Sequence, residues 1–404
     1  MARIALVNGE IKALIDEPDR RARIERRLRD IEARWPTASS RPRLYGVPTG
    51  VKDLFHVAGL DTRAGSKLPP KAFPVEQGTL VSRLEDAGAI VLAKTTTDEL
   101  GYALGPATRN PHDLTRTPGG SSAGSAAGVA AGMFPLALGT QTTRSVICPA
   151  AFCGVIGFKP SHGRMPLDGV VCLSPSMDTP GLLTQDLPGM ALAASVLVDG
   201  WTRGIRNSPP VLGIPTGAYL DGLPLLGWRA PFDAAVERLA RSGLEVREAS
   251  LPWDHELEQV YEAAMKLLRG EMALEHGARY EDHGELYDPI TRAGIEEGRK
   301  VAASDLVLAR RLGRRLRDDL ARSMTEAGVD LLVSPSQPGP PPLAGGRTGY
   351  GATTTPWSFA GLPCLSLPAD LGDDLPAGLQ LIAPYGRDEA LLSQAEPVAR
   401  ALAT

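Results

Sequence analysis

The run TPGGSSAGSAAGVAAGMFPLALGTQTTRSVICPAAFCG, residues 117–154, decides how the chain is read. Arg116 and Arg144 are the only charged residues between Leu114 and Phe158, and Gly, Ala and Ser recur without becoming low-complexity. Glycines fall at Gly120, Gly124, Gly128 and Gly132, every fourth position. On a helix that spacing puts them on one stripe, where another element can approach the backbone closely. A helical glycine costs roughly 0.5–1 kcal/mol relative to alanine, so four in register imply that the close approach is needed. The spacing predicts a helix beginning at Ser121 or Ser122, where free amides and the positive end of the helix dipole meet two hydroxyls. An ordinary serine cap on a tightly packed helix explains the same residues, and both readings stay open at this point.

Outward from this run the pattern is α/β. Residues 77–94 (QGTLVSRLEDAGAIVLAK) read as a helix carrying Leu80, Val81 and Leu84, closed near Gly88 and followed by the buried strand AIVLAK. A helix feeding a strand across a short glycine turn is an α/β signature. Residues 232–251 repeat the unit, so one large sheet is expected. Residues 18–35 place Ile24, Leu28 and Ile31 on one face of a basic amphipathic surface helix. Two long helical stretches are expected between Trp253 and Asp330, the second very basic, with Arg315 and Asp319 spaced as an exposed i, i+4 pair. LLVSPS then reads as a buried strand, residues 338–351 as a Pro/Gly-rich loop over a cleft, and residues 353–404 as helix, two strands (CLSLPA, GLQLIA) and a closing helix.

Residues 44–60 (LYGVPTGVKDLFHVAGL) read as strand and turn, with Lys52 inside the apolar part. A lysine there needs a partner or a lowered pKa. Asp53 is the near candidate, yet adjacent strand residues point to opposite faces, which turns Lys52 elsewhere.

The composition narrows the function classes. The 43 Lys and Arg against 47 Asp and Glu give a net charge of -4, which leaves no nucleic-acid footprint. The four cysteines form no CxxC pair and the N-terminus carries no export signal, so a cytoplasmic protein with free thiols is expected. No apolar run approaches about 18 residues, which argues against a membrane span. The six histidines are scattered, with no HExxH and no Cys/His cluster, so no metal is expected.

Three serine-nucleophile templates bear on the opening run. GSSAG (residues 120–124) fits G-x-S-x-G with Ser122 central, but that elbow must follow a buried strand, and NPHDLTRTPG precedes it. No serine has a lysine three residues on, which removes S-x-x-K. The third template uses a distant lysine.

YGVPTGVKDLF, PGGSSAGSAAGVAAG and PLALGTQTTRSVICPAAFCGVIGFKPSHGRMP together resemble the amidase signature family, most closely its compact malonamidase-like members and the amidases related to the A chain of the transamidosome. The resemblance covers residues 44–198 and returns at residues 357–392 (WSFAGLPCLSLPADL…LPAGLQLIAPYGRDEALL). It implies one large α/β domain with a mixed central sheet flanked by helices on both faces, divided into an N-terminal helical segment (1–43), a signature core (44–200), a less family-like helical, substrate-side region (201–330) and a C-terminal part of the core (331–404). It also implies a Ser-cisSer-Lys triad: Lys52 as the lysine, Ser121 as the bridging serine with its cis peptide, and Ser145 as the nucleophile. Backbone N–H groups of Thr142, Thr143 and Arg144 would form the oxyanion hole, and Gly120, Arg144, Cys148 and Trp357 would lie on the substrate side.

The implied reaction is hydrolysis of a small-molecule amide through an acyl-enzyme, with no cofactor. A protein like the amidotransferase A chain, working with partner chains, or a catalytically silent relative, are the alternatives, and a homodimer is left open. Two departures bear on this. Thr143-Arg144 replaces the usual Gly-Gly, and non-glycine residues resist positive φ. Cys148 replaces an arginine that binds substrate carboxylate in malonamidase-like enzymes, which makes a dicarboxylic half-amide a poor fit. Arg144 either restores positive charge from another direction or fills the pocket.

Overall fold

Short apolar runs bounded by glycine turns become strands, and the runs buried on both faces lie at the centre of the sheet. The computed structural model describes residues 1–73, 76–103, 105–202, 209–223, 225, 227–372 and 374–403. Its strands are β1 (Pro48–Lys52), β2 (Ile90–Thr95), β3 (Leu136–Gln141), β4 (Ile156–Lys159), β5 (Thr179–Thr184), β6 (Val211–Thr216), β7 (Glu245–Ser250), β8 (Leu331–Pro335), β9 (Cys364–Ala369) and β10 (Ala377–Ile382). They form one mixed sheet in the order β2-β1-β3-β5-β4-β9-β10-β8-β6-β7. The pairs β1–β2, β1–β3, β6–β7 and β6–β8 are parallel and the rest antiparallel. The expected single large α/β domain is the one observed.

Alternation along the strands explains the two flanking layers. Ile90 and Leu92 of β2 pack with the helices Ala2–Ile11, Arg20–Arg34 and Ala123–Ala130, while Val91 between them packs with the helices Thr79–Asp86 and Leu187–Leu197 on the other face. Ala137 of β3 likewise faces the first layer, and Leu136 and Leu138 the second.

The topology also gathers particular residues at one edge. Because β1, β2 and β3 run parallel, Lys52, the segment after Thr95 and the turn after Gln141 all leave the sheet at the same end. The antiparallel strand β5 begins there, with Thr179 opposite Gln141, so Asp178 arrives at that edge too. The carboxyl ends of parallel strands are where α/β proteins place their ligand crevices.

Several expectations are corrected. Ile24 and Ile31 are buried on the helix Arg20–Arg34, but Leu28 is 37% exposed, at the margin of the apolar stripe. Residues 253–330 hold three main helices rather than two: Leu257–His283, Pro289–Gly298 and Ala303–Glu326. The break falls at Gly284–Asp288, where Asp288 caps the amide of Ile290 and Pro289 occupies the first turn, which tolerates a missing N–H. Arg315 and Asp319 approach to 3.9 Å on the exposed face of the last of these helices.

The glycine stripe is shorter than expected. The helix spans Ala123–Ala130, with Ser122 at its N-cap, and Gly120 and Gly132 lie outside it. The two internal glycines do mark close packing. A Cβ on Gly124 would sit 2.1 Å from Ala13 O and 2.5 Å from Thr96 N, whereas one on Gly128 would meet the Phe134 ring at 2.3 Å. Backbone cannot yield as a ring can. Gly124→Ala is therefore expected to lower unfolding free energy by about 1–3 kcal/mol, the usual cost of overpacking, and Gly128→Ala by less. Urea titration of both variants checks the order. An equal loss would count against backbone contact as the cause.

Candidate active site

Lys52 ends β1 with its side chain fully buried, as an apolar strand run dictates. Its Nζ donates to Ser121 Oγ at 2.7 Å and to Thr140 Oγ1 at 2.8 Å, and approaches Thr140 O at 3.4 Å. Asp53 points to the opposite face, where its carboxylate pairs with Lys94 Nζ at 2.8 Å. Burial lowers the Lys52 pKa to about 7, because the ammonium loses hydration, while the charges of Asp98 and Asp178 oppose that fall.

Ser121 follows a cis Gly120–Ser121 peptide, directly before the helix Ala123–Ala130. Its carbonyl accepts from Asp98 N at 3.3 Å, which ties it to the segment leaving β2. The next residue, Ser122, donates its N–H to Ser145 O at 3.3 Å and so joins the two serine-bearing segments through backbone. No hydrogen bond joins the hydroxyls of Ser121 and Ser145 among the described residues. Ser122 itself is structural. Its Oγ donates to Thr140 O at 3.2 Å and accepts from Thr140 N at 3.3 Å, and this holds the helix start on β3.

Ser145 stands in the turn between β3 and the helix Ile147–Cys153. Gln141 Oε1 accepts from the amides of Val146 and Ile147 at 2.8 and 2.9 Å. Gln141 Nε2 donates to Ser358 Oγ at 2.9 Å, and Ser358 Oγ donates to Thr143 O at 2.9 Å. On the other side Thr142 Oγ1 donates to Asp178 Oδ1, whose second oxygen accepts from Leu173 N and Ser174 N at 2.6 and 2.9 Å. Burial pushes the Asp178 carboxyl up to about 6, against the pull of these donors and of Lys52.

The turn accommodates Thr143 and Arg144 without positive φ; among the described residues that conformation falls, outside glycine, on Lys12, Ala64 and Leu100. The backbone objection to side chains at these positions is thereby removed. The amides of Thr142, Thr143 and Arg144 donate to no protein acceptor among the described residues. They border a cavity of about 350 Å³ lined also by Ser145, Asp98, Gly101, Tyr102, Leu173, Tyr261, Met265 and Leu268.

The remaining substrate-side candidates lie differently. Arg144 lines the cavity, and its Nη2 donates to Thr348 Oγ1 at 3.3 Å; that hydroxyl donates in turn to Asp98 Oδ2 at 3.2 Å. Cys148 is buried behind this turn, with its Sγ donating to Thr348 O at 3.4 Å and burial pushing the thiol up to about 12. Gly120 N donates to the same carbonyl at 3.0 Å. Trp357 does not border the cavity. It is fully buried, its Nε1 donates to Tyr219 OH at 3.1 Å, and its ring packs on Tyr219 and Trp253.

Sequence reasoning missed Asp98, Thr140, Gln141, Asp178 and the wall from the helix Leu257–His283. For the two acids the one available signal was a carboxylate beside a strand-like run. Desolvation also raises Asp98 to about 6, opposed by the charges of Arg144 and Lys52. Among the described residues no group of three or more His, Cys, Asp or Glu could hold a metal, and no helix is long and apolar enough to cross a membrane.

Comparison with known proteins gives a consistent answer. The family profile described as Amidase matches residues 1–392. The A chain of the glutamyl-tRNA(Gln) amidotransferase of Thermus thermophilus is 35% identical, over 92% of this chain and 87% of that protein. A crystal structure of an amidase superposes with a TM-score of 0.86 at 34% identity, covering 99% of this chain and 94% of the other. The peptide amidase of Stenotrophomonas maltophilia superposes with a TM-score of 0.82 at 26% identity, over 100% and 92%. Matches of this extent, joined to the geometry at the sheet edge, establish that the chain belongs to the amidase family and is an enzyme that hydrolyses amides.

Proposed function

We propose that the protein hydrolyses a small-molecule carboxamide, with Ser145 as nucleophile, Ser121 as proton relay and Lys52 as base. The observation that carries this reading is the fully buried Lys52 amine, with a pKa near 7, held 2.7 Å from Ser121 Oγ. A serine hydroxyl is a weak nucleophile until a neighbouring base takes its proton, and a desolvated neutral amine is such a base. As Ser145 Oγ attacks the carbonyl carbon, its proton passes to Ser121 Oγ while the Ser121 proton passes to Lys52 Nζ. The tetrahedral oxyanion is received by amides of the turn at Thr142, Thr143 and Arg144, each such donor contributing about 2.7–4 kcal/mol in comparable sites. Collapse breaks the C–N bond, and the proton returns through Ser121 to the departing ammonia or amine. Water then attacks the acyl group on Ser145 by the same relay and releases the acid. In this reading residues 201–330 are the substrate side, in keeping with the cavity wall at Tyr261, Met265 and Leu268.

A serine-directed fluorophosphonate is expected to label the wild-type chain at Ser145, located by mass spectrometry of the digest. An adduct on another serine, or none while Arg144→Gly labels, would remove this reading of the turn.

A second reading, favoured by the relatives named as A subunits of the glutamyl-tRNA(Gln) amidotransferase, is a subunit of that kind that delivers ammonia and works with partner chains. Ammonia release from glutamine by the chain alone and with candidate partner chains separates the two.

A further inference from the structure

The cavity at Ser145 has two unlike kinds of lining: the catalytic turn, and the side chains of Tyr102, Leu173, Tyr261, Met265, Leu268 and Ala352. Leu268 and Leu173 are almost fully buried, and the Tyr261 hydroxyl is engaged, donating to Ala352 O, which leaves its ring for a ligand. Three of these side chains, Tyr261, Met265 and Leu268, come from one face of the helix Leu257–His283, at spacings of four and three residues, which makes a continuous apolar stripe.

Charge elsewhere in the lining is engaged only in part, since Arg144 Nε and Asp98 Oδ1 are buried with no hydrogen-bond partner. The Arg144 guanidinium is joined to the Asp98 carboxylate through the Thr348 hydroxyl, which accepts from the first and donates to the second. Cys148, buried behind the turn, contributes a thiol that donates to Thr348 O. A substrate carboxylate would therefore meet Arg144 with the Asp98 carboxylate in the same lining, beside apolar side chains that cannot solvate it. At about 350 Å³ the space is at the small end of ligand pockets.

We infer that the substrate is an uncharged amide whose acyl part carries a compact apolar group, aromatic or branched aliphatic, seated against Tyr261, Met265 and Leu268. This rests on the reading of Ser145 as the acylated residue, because these side chains line the same cavity as that residue. Glutamine and half-amides of dicarboxylic acids are disfavoured by the same surface.

The test compares 2-phenylacetamide and isovaleramide with acetamide, glutamine and succinamate, both by kcat/KM with the wild type and by calorimetric binding to Ser145→Ala. Filling the wall is expected to raise kcat/KM and affinity about 10–100-fold over acetamide, the range for burying one such group. Met265→Glu is expected to remove most of that advantage through KM. Equal or better binding of succinamate or glutamine would overturn the inference. Binding with the expected preference but no turnover by wild type would instead defeat the assignment of Ser145 and leave the substrate class standing.

Discussion

Ser145→Ala is expected to abolish amide hydrolysis, with kcat/KM falling on the order of 10⁴–10⁶-fold, since removal of a nucleophile leaves only the oxyanion donors and binding to act on water. The loss should appear almost entirely in kcat. Ser145 lines the cavity, whereas the turn is held by other groups: Gln141 on the amides of Val146 and Ile147, Ser358 on Thr143, and Asp178 on Thr142. None of those contacts uses the Ser145 hydroxyl, so the variant should fold, keep its melting temperature and bind substrate with KM-like affinity. Ammonia release, measured beside thermal unfolding, decides the matter. Residual turnover within tenfold of wild type would mean that another nucleophile carries the acyl group.

Lys52→Ala is expected to reduce kcat/KM about 10²–10⁴-fold, the range for a general base, and to remove the acidic limb of the pH profile. The base is the free amine. With its pKa near 7, wild-type activity should rise as pH increases through that region and level off above it, because the protonated form cannot accept the Ser121 proton. Lys52→Arg supplies the charge but not the base, since a guanidinium stays protonated, and should be as inactive as the alanine variant. A steady rate across this pH range in wild type, or near-normal turnover in Lys52→Ala, would end the lysine-base mechanism. Asp98 and Asp178 stand behind the effect. Both are buried carboxyls raised to about 6, and as anions they draw the lysine back toward its charged form.

Much of the framework was readable along the chain. The helix Thr79–Asp86 and strand β2, the helix Arg229–Arg241 and strand β7, and strands β8, β9 and β10 each followed from local periodicity and a glycine or proline boundary. Lys52 stood out because a lysine within a buried run must find a partner. The two-residue period of a strand already separated it from Asp53, which the structure pairs with Lys94. Ser121 and Ser145 were singled out by resemblance to a family, and the structure brings Ser121 to Lys52 while it joins the two serine segments through Ser122 N. Trp357 is the opposite case. A tryptophan within a family-like run suggested a substrate contact, yet Tyr219 and Trp253 close over it, and residues so far apart in the chain do not announce that they meet.

By itself the sequence determined the alternation of helix and strand, the small-residue packing at Gly124 and Gly128, and the opposed faces of Lys52 and Asp53. Each follows from rotation per residue and side-chain size, which act over a few neighbouring positions. Only the tertiary structure decided that Asp98 and Asp178 flank the lysine. Their arrival depends on strand order, since one leaves the parallel strand β2 and the other enters the antiparallel strand β5 at the same edge. It also decided that Thr143 and Arg144 fit the turn without left-handed backbone, that Arg144 is drawn through Thr348 to Asp98, and that Met265 and Leu268, which pack with the core, also border a cavity. An apolar helix face is written the same way in both cases. What lies opposite it is set by the packing of segments distant in the chain.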